Sequence, residues 1–329
     1  MTAGRLGVVA PFWLDRPDTE AVDIAVAARR HGYRRMWIGE MATFDAFALA
    51  TAIGIRAPGL RLTVGPLAVG VRTPVAFALG VTSVATLTGA EVGLALGASS
   101  PAIVSGWHDR PYAKAAPRMR EAVDVLRALF AGEPAHFDGE HIRTHGFRLR
   151  TPAPRTAITV AAFGANMTRV AAGHADEVVL NLVSPEQVAE TRAVVDTRAR
   201  QLGRRPPALA VWVSAALDPG PATIMQLASQ IAVYLKPPGY GEMFVRLGFG
   251  DLVERARGGE PRASLAGAIP LELLQSVGAI GTRDQVEAAV ESYLAAGADH
   301  VGIVPATADD PAGARVLAAL RTYTEELAP

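Results

Sequence analysis

Eight short apolar runs, each followed by a longer helical pattern, recur along this 329-residue chain. The runs at 6–10, 35–39, 62–69, 92–97, 157–163, 177–181, 209–216 and 300–305 read as strands. Helices fill the gaps at 19–31, 45–55, 74–87, 116–131, 166–173, 185–202, 283–296 and 311–327. Start signals such as Asp18-Thr19, Thr73-Pro74 and Ser184-Pro185-Glu186 precede them, and His31-Gly32, Leu202-Gly203 and Ala296-Gly297 stop them. The strands show little polar alternation, so both faces are expected to be buried. That combination predicts an α/β fold, a parallel (β/α)8 barrel. A doubly wound open sheet is the alternative. The lack of Gly-x-Gly-x-x-Gly after the first strand counts against it.

Two segments interrupt the alternation within what reads as a single domain over 1–329. Residues 134–154 predict a hairpin turning at Asp138-Gly139. Residues 218–281 form an insertion between the seventh strand and its barrel helix, where a lid or substrate wall is expected. The helices at 45–55 and 74–87 are unusually bland. No charge follows Asp45 in the first, and from Thr73 to Trp107 the only charge is Glu91. Outer helices normally show water a charged face, so these two predict a homodimer interface, with Ala46, Ala50 and Ala78 within it.

Net charge is zero at pH 7, which argues against nucleic acid or an anionic membrane as partner and leaves a small-molecule substrate. There is no cysteine, so disulfides, thiolate nucleophiles and Cys-ligated metals are excluded. The N-terminal apolar stretch is too short for a signal sequence. The longest uncharged stretch, 73–90, carries four threonines, a serine and a proline and is not read as membrane-spanning. A cytoplasmic protein is expected.

Candidate chemistry gathers at predicted strand ends, where barrel enzymes bind their ligands. Glu40 closes the second strand and can accept a hydrogen bond from a cofactor or transfer a proton; capping the next helix is its other reading, one Asp45 fills better. Gly65-Pro66 inside the third strand demands a bulge, which either leans against a flat ring or only relieves twist. The fourth strand breaks into small residues, with Ser99 and Ser100 offering hydroxyls, before Trp107 and His108. His108 is either a proton shuttle or a surface residue. After the fifth strand, Ala162-Phe-Gly-Ala-Asn166 leads into a helix whose N-terminal amides suit a phosphate, unless Gly164 is only a turn residue. Tyr234, Tyr240 and Phe244 of the insertion are candidate apolar walls for a substrate. His136, His141 and His145 lack metal-ligand spacing, and no metal is expected. A Gly-x-Ser-x-Gly elbow and a Walker loop are both missing from the sequence.

Several motifs in order carry a resemblance: Trp37-Ile-Gly-Glu40 with Asp45-Ala-Phe47, Arg72-Thr-Pro74, Leu96-Gly-Ala-Ser-Ser-Pro101 leading to Gly106-Trp-His108, Arg118-Met-Arg-Glu121, Phe137-Asp-Gly-Glu-His141, Ala161-Ala-Phe-Gly164, and Leu180-Asn-Leu-Val-Ser-Pro-Glu186. Over nearly its whole length the chain resembles the luciferase-like class of (β/α)8 oxidoreductases, and within it an actinobacterial branch dependent on the deazaflavin coenzyme F420. The resemblance implies hydride transfer between deazaflavin C5 and a small organic substrate. It also implies that Gly65, Pro66, Leu67 and Ala68 support the ring. Glu40, Ser99 and Ser100 would contact the ring or ribityl chain, and Ala162, Phe163, Gly164, Ala165 and Asn166 would hold the phosphate. The resemblance leaves the proton donor unnamed; the residues themselves offer Glu40 and His108 as catalytic candidates, and Trp107, Tyr240 and Phe244 as substrate-side ones. Three positions depart from the family pattern: Thr88-Gly-Ala-Glu91 ahead of the fourth strand, Asp109 after Trp-His, and Met41 after Glu40. Those departures keep two rivals open, an FMN-dependent monooxygenase and a flavin-binding or non-redox barrel.

Overall fold

The computed structural model describes residues 4–40, 42–237 and 239–323, so Met41 lies outside the described residues. The chain divides into two compact units, one of residues 35–179 and 193–209, the other of 4–34, 180–192 and 210–323 within the described residues. The strands are β1 (Leu6–Val9), β2 (Arg35–Ile38), β3 (Arg61–Ala68), β4 (Val92–Gly97), β5 (His136–Asp138), β6 (Arg143–His145), β7 (Ile158–Ala161), β8 (Glu177–Asn181), β9 (Ala208–Leu217), β10 (Gly278–Gly281) and β11 (His300–Pro305).

In the first unit β2, β3, β4, β7 and β8 run parallel in that order. Nearly every strand residue is buried, the physical reason for the weak alternation in the sequence. At the strand starts Arg35 donates two hydrogen bonds to Glu177, at 3.0 and 2.5 Å, while the Thr159 hydroxyl donates to the same carboxylate at 3.0 Å. The Arg35 guanidinium lies 4.5 Å from the centre of the Trp37 ring. This pairing satisfies charges that would otherwise be costly to bury. It stands at the strand end opposite to the candidate site.

The predicted helices form as α1 (Glu20–Arg30), α2 (Ala46–Arg56), α3 (Pro74–Thr88), α4 (Ala115–Ala131), α5 (Ala165–His174) and α6 (Pro185–Gln201). Asp45 accepts the Phe47 and Ala48 amides at the start of α2, and Thr73 accepts Ala76 N–H at the start of α3. α2 and α3 pack together so closely that a Cβ on Gly80 would collide with the Phe47 ring. The three alanines expected to face a partner, Ala46, Ala50 and Ala78, are wholly buried inside this packing. The exposed apolar face instead comprises Ala48, Ala52 and Ile55 of α2 with Ala76, Leu79 and Leu87 of α3.

The predicted hairpin is the antiparallel pair β5–β6. Its connecting turn closes on the buried Glu121 of α4, whose carboxylate accepts the amides of Glu140, His141 and Ile142 at 3.2, 2.9 and 2.9 Å. Burial pushes the Glu121 carboxyl up, but those amide donors more than offset it and hold it below the usual carboxylate range.

In the second unit β1, β11, β9 and β10 run parallel in that order. The segment read as an insertion holds five helices, α7 (Pro221–Tyr234), α8 (Tyr240–Arg246), α9 (Gly250–Arg257), α10 (Arg262–Ala268) and α11 (Leu271–Ser276). It ends in β10, a strand the sequence reading assigned to the insertion. Four residues bounded by Gly278 and Gly281 are too short and too small to show a strand pattern. The insertion is tied in by Gln226 of α7, whose side chain donates to Asp15 at 3.1 Å and accepts Thr307 N–H at 2.9 Å. α12 (Arg283–Ala295) comes after β10, and the chain continues past β11 as α13 (Ala314–Ala319) between short 3-10 turns. The end of the helix predicted over 311–327 lies outside the described residues. Among the described residues no helix is long and apolar enough to cross a membrane.

Candidate functional site

The first unit gathers several predicted site residues at the C-terminal ends of its strands. The pairing of β3 with β4 slips between Val64 and Leu67, the bulge expected from Gly65-Pro66, and that peptide bond is cis. Gly65 has φ +121°, and a Cβ there would strike the Ala95 carbonyl, so only glycine fits. Past the slip Leu67 pairs with Leu96 and Ala68 with Gly97. A Cβ on Gly97 would stand 3.3 Å from Pro66 Cβ and 3.7 Å from Ala161 Cβ. Three strand ends therefore meet through small residues, without bulk that would fend off a flat ligand.

Glu40 does not stand free. Arg72 donates to both its oxygens, at 2.5 and 2.7 Å, and to Asp45 at 2.6 Å. The Glu40 carboxylate also accepts Ala46 N–H at 3.1 Å, so it caps α2 together with Asp45. The hydrogen bond it donates to Glu40 raises the Arg72 guanidinium above its ordinary value. In this arrangement both Glu40 oxygens are occupied as hydrogen-bond acceptors. The sequence reading noted Arg72 only as part of a motif. Its partner lies 32 residues away, and no local pattern reveals that.

The loop after β4 adopts a tight turn with Ser99 at φ 62°. The Ser99 carbonyl accepts the Tyr112 hydroxyl at 3.1 Å, and Ser100 Oγ accepts Ile103 N–H at 3.4 Å at the start of a π-helical turn, Ala102–Trp107. Trp107 at the end of that turn is 57% exposed, and His108 beside it is exposed too. Tyr112 is a participant the sequence reading missed.

After β7, Ala162 is buried and Phe163 is half-buried. Gly164, at φ +80° and ψ 156°, starts α5 without any side-chain cap. A Cβ there would meet nothing within 4 Å, and Ala165 and Asn166 after it are exposed, so no side chain caps the first amides of the helix. Asn166 Oδ1 accepts Arg169 Nη1 at 3.0 Å, which holds a cation over the first turn.

The insertion contributes differently from expectation. Phe244 is wholly buried and offers a ligand no surface; its ring is part of the core. Tyr240 packs edge-on against Tyr234, with ring centres 4.9 Å apart. The Tyr234 hydroxyl accepts Asn181 Nδ2 at 3.4 Å, at the last residue of β8, and burial raises its phenol above the ordinary value. On the hairpin His136 and His145 are cross-strand partners 6.4 Å apart, and His145 Nε2 lies 3.1 Å from Asp138. Among the described residues no group of three or more such side chains is placed to hold a metal ion.

Residues 7–300 match the family model described as luciferase-like monooxygenase. A putative coenzyme F420-dependent oxidoreductase of Mycobacterium tuberculosis is 30% identical over 145 residues, 44% of this chain and 42% of that protein. A 5,10-methylenetetrahydromethanopterin reductase of Archaeoglobus fulgidus is 30% identical over 26% of each chain. The matches thus span under half the length of these curated relatives. Among solved structures, the coenzyme F420-dependent tetrahydromethanopterin reductase of Methanopyrus kandleri superposes with a TM-score of 0.83 at 16% identity, covering 97% of both chains. The FMN-bound oxygenating constituent of 3,6-diketocamphane monooxygenase from Pseudomonas putida gives 0.70 at 18% identity, again over 97% of each. The fold is that of the luciferase-like (β/α)8 barrels.

Proposed function

The chain belongs to the luciferase-like monooxygenase family of enzymes, and on that premise we propose that it is an oxidoreductase using coenzyme F420 to exchange a hydride with a small organic molecule. The observation that carries this reading is the likeness to the F420-dependent oxidoreductase of Mycobacterium tuberculosis. The residues fit the coenzyme. The uncapped first turn of α5 leaves amide donors and open space at Gly164, suited to a phosphate. The bulged Gly65–Ala68 segment meets Gly97 and Ala161 through small residues, a surface suited to a planar ring.

When bound, the coenzyme supplies the hydride chemistry at its C5. The residues of this chain bind, orient and shield it. In this reading Pro66, Leu67 and Ala68 lie behind the ring, and Ser99 and Ser100 border the ribityl chain. Arg72 keeps the Glu40 carboxylate aimed as an acceptor, a positioning role. Arg72 already engages both Glu40 oxygens, so the exposed His108 is the better candidate for a proton relay, with Trp107 beside it facing substrate.

A second reading, an FMN-dependent monooxygenase, draws on the FMN-bound neighbour. Fluorescence titration with F420 and with FMN separates the two. Tighter binding of F420, with no oxygen consumed in the presence of reduced FMN, is the expected result. Preference for FMN with oxygen uptake overturns the F420 reading.

A further inference from the structure

Four tyrosines donate their phenol proton to a protein acceptor: Tyr33 to the Leu317 carbonyl at 3.1 Å, Tyr112 to the Ser99 carbonyl at 3.1 Å, Tyr293 to the Val183 carbonyl at 2.8 Å and Tyr323 to Glu291 at 2.9 Å. Tyr234, the last residue of α7, differs. Its hydroxyl oxygen accepts Asn181 Nδ2 at 3.4 Å, and its own proton has no acceptor among the described residues. A phenol withdrawn from water ordinarily satisfies both halves of its hydroxyl. The Tyr234 ring is half-buried, with the Tyr240 ring edge-on against it. Burial raises the phenol above its ordinary value, against the opposing pull of the Asn181 bond, so it stays protonated at neutral pH.

Asn181 is the last residue of β8, at the strand end where barrel enzymes hold their ligands. The insertion is tied to that end at two points. α7 finishes there through the Tyr234–Asn181 bond. α8, which begins at Tyr240, sends Arg246 to the Gln187 side chain at 2.6 Å and to within 3.7 Å of Glu190, both on α6, the helix that follows β8. Asn181, Gln187, Glu190, Tyr234, Tyr240 and Arg246 all belong to the second unit. Asn181 itself is only half-buried, so the two tyrosine rings do not seal the end of the strand.

We infer that the Tyr234 hydroxyl, oriented by Asn181, binds the oxygen of a carbonyl substrate or of the matching alcohol. The inference rests on the F420 reading and names the substrate class which that reading leaves open. With its oxygen engaged by the Asn181 amide, the phenol has a proton to offer and selects an acceptor atom over a donor such as an ammonium group. Hydride transfer asks for such a donor. A hydride that reaches the carbonyl carbon forms the new C–H bond and moves the C=O pair onto oxygen. The Tyr234 hydrogen bond stabilises the charge that grows there, and a proton from water completes the alcohol while the deazaflavin is left oxidised. Asn181 touches Tyr234 and not the substrate, a positioning role.

Para-dimethylaminocinnamaldehyde is a suitable probe, because its absorption moves to longer wavelength when its carbonyl oxygen accepts a hydrogen bond. Difference spectra are recorded for the unaltered protein and for Tyr234→Phe, each with and without F420. A red shift is expected when the aldehyde binds the unaltered protein. Tyr234→Phe keeps the ring against Tyr240 and should lose the shift, with the aldehyde bound about tenfold more weakly; a thermal melt verifies folding. With reduced F420 present, kcat for the aldehyde, read from the return of deazaflavin fluorescence, should fall about 100-fold in the variant. No shift in an unaltered protein that binds F420 overturns the subsite alone, as does a shift that survives in Tyr234→Phe. A Tyr234-dependent shift in a protein that binds no F420 overturns the cofactor reading and leaves the carbonyl subsite standing.

Discussion

At the scale of single residues, the outcome at Glu40 turns on a partner. Position in the chain marked this carboxylate as a strand-end group, but its role is set by Arg72, which spends its fork of donors on Glu40 and Asp45 at once. Lysine carries the charge without the fork. Arg72→Lys is therefore expected to lower stability by about 1–2 kcal/mol, since both carboxylates are partly exposed, and to weaken F420 binding. Denaturant unfolding and a cofactor titration measure the two effects, and unchanged values in both would remove the positioning role. Gly164 supports a second prediction. Alanine and aspartate both strain φ +80° there, yet only aspartate brings a negative charge to the open amides. Gly164→Asp should abolish binding, while Gly164→Ala weakens it by less; comparable affinity in the two variants would mean no phosphate sits there. Neither Arg72 nor Tyr112 was legible as a site residue, because a hydrogen bond across the fold leaves no trace in local spacing. Gly65-Pro66 was legible because a central strand tolerates that pair only at an irregularity.

Among the elements, legibility followed length and repetition. The long helices and buried strands were readable at close to their observed bounds, while β10, four residues between glycines, was not. The hairpin was readable from Asp138-Gly139, but not its dependence on Glu121 of the preceding helix. That dependence has a pH signature. The folded carboxyl lies below its ordinary value of 4.5, so its contribution to stability is complete above pH 4.5 and declines as pH falls through the lower folded value. Hydrogen exchange at the amides of Glu140, His141 and Ile142 should be slow at pH 7 and disproportionately faster below pH 4, once corrected for intrinsic rates. Glu121→Gln should lose about 1–2 kcal/mol at pH 7 together with that acid sensitivity. Identical pH profiles in the two proteins would show that the loop is held by other contacts.

At the scale of the molecule, the barrel class was written in the repetition of strand and helix. Cofactor choice was not, since F420 and FMN present similar flat rings and differ beyond the ribityl chain. The helices α2 and α3 raise the remaining molecular question. Ile55, Leu79 and Leu87 are 60%, 47% and 66% exposed, and no charge interrupts either helix before Arg56. The sequence singled out these two helices by their blandness but chose their inward alanines, because composition alone cannot tell which side of an all-apolar helix looks outward. Soluble monomers seldom leave such a continuous apolar surface wet. A second copy of the chain is the proposed cover, through a two-fold contact of roughly 800 Å² per partner. Ile55→Arg/Leu79→Arg would bury four charges in that contact without disturbing the Phe47–Gly80 packing beneath it. The unaltered protein should then have twice the chain mass in solution and the variant a single chain mass, both with native circular dichroism. A monomer before substitution, or a dimer that survives it, would dismiss this face as the interface.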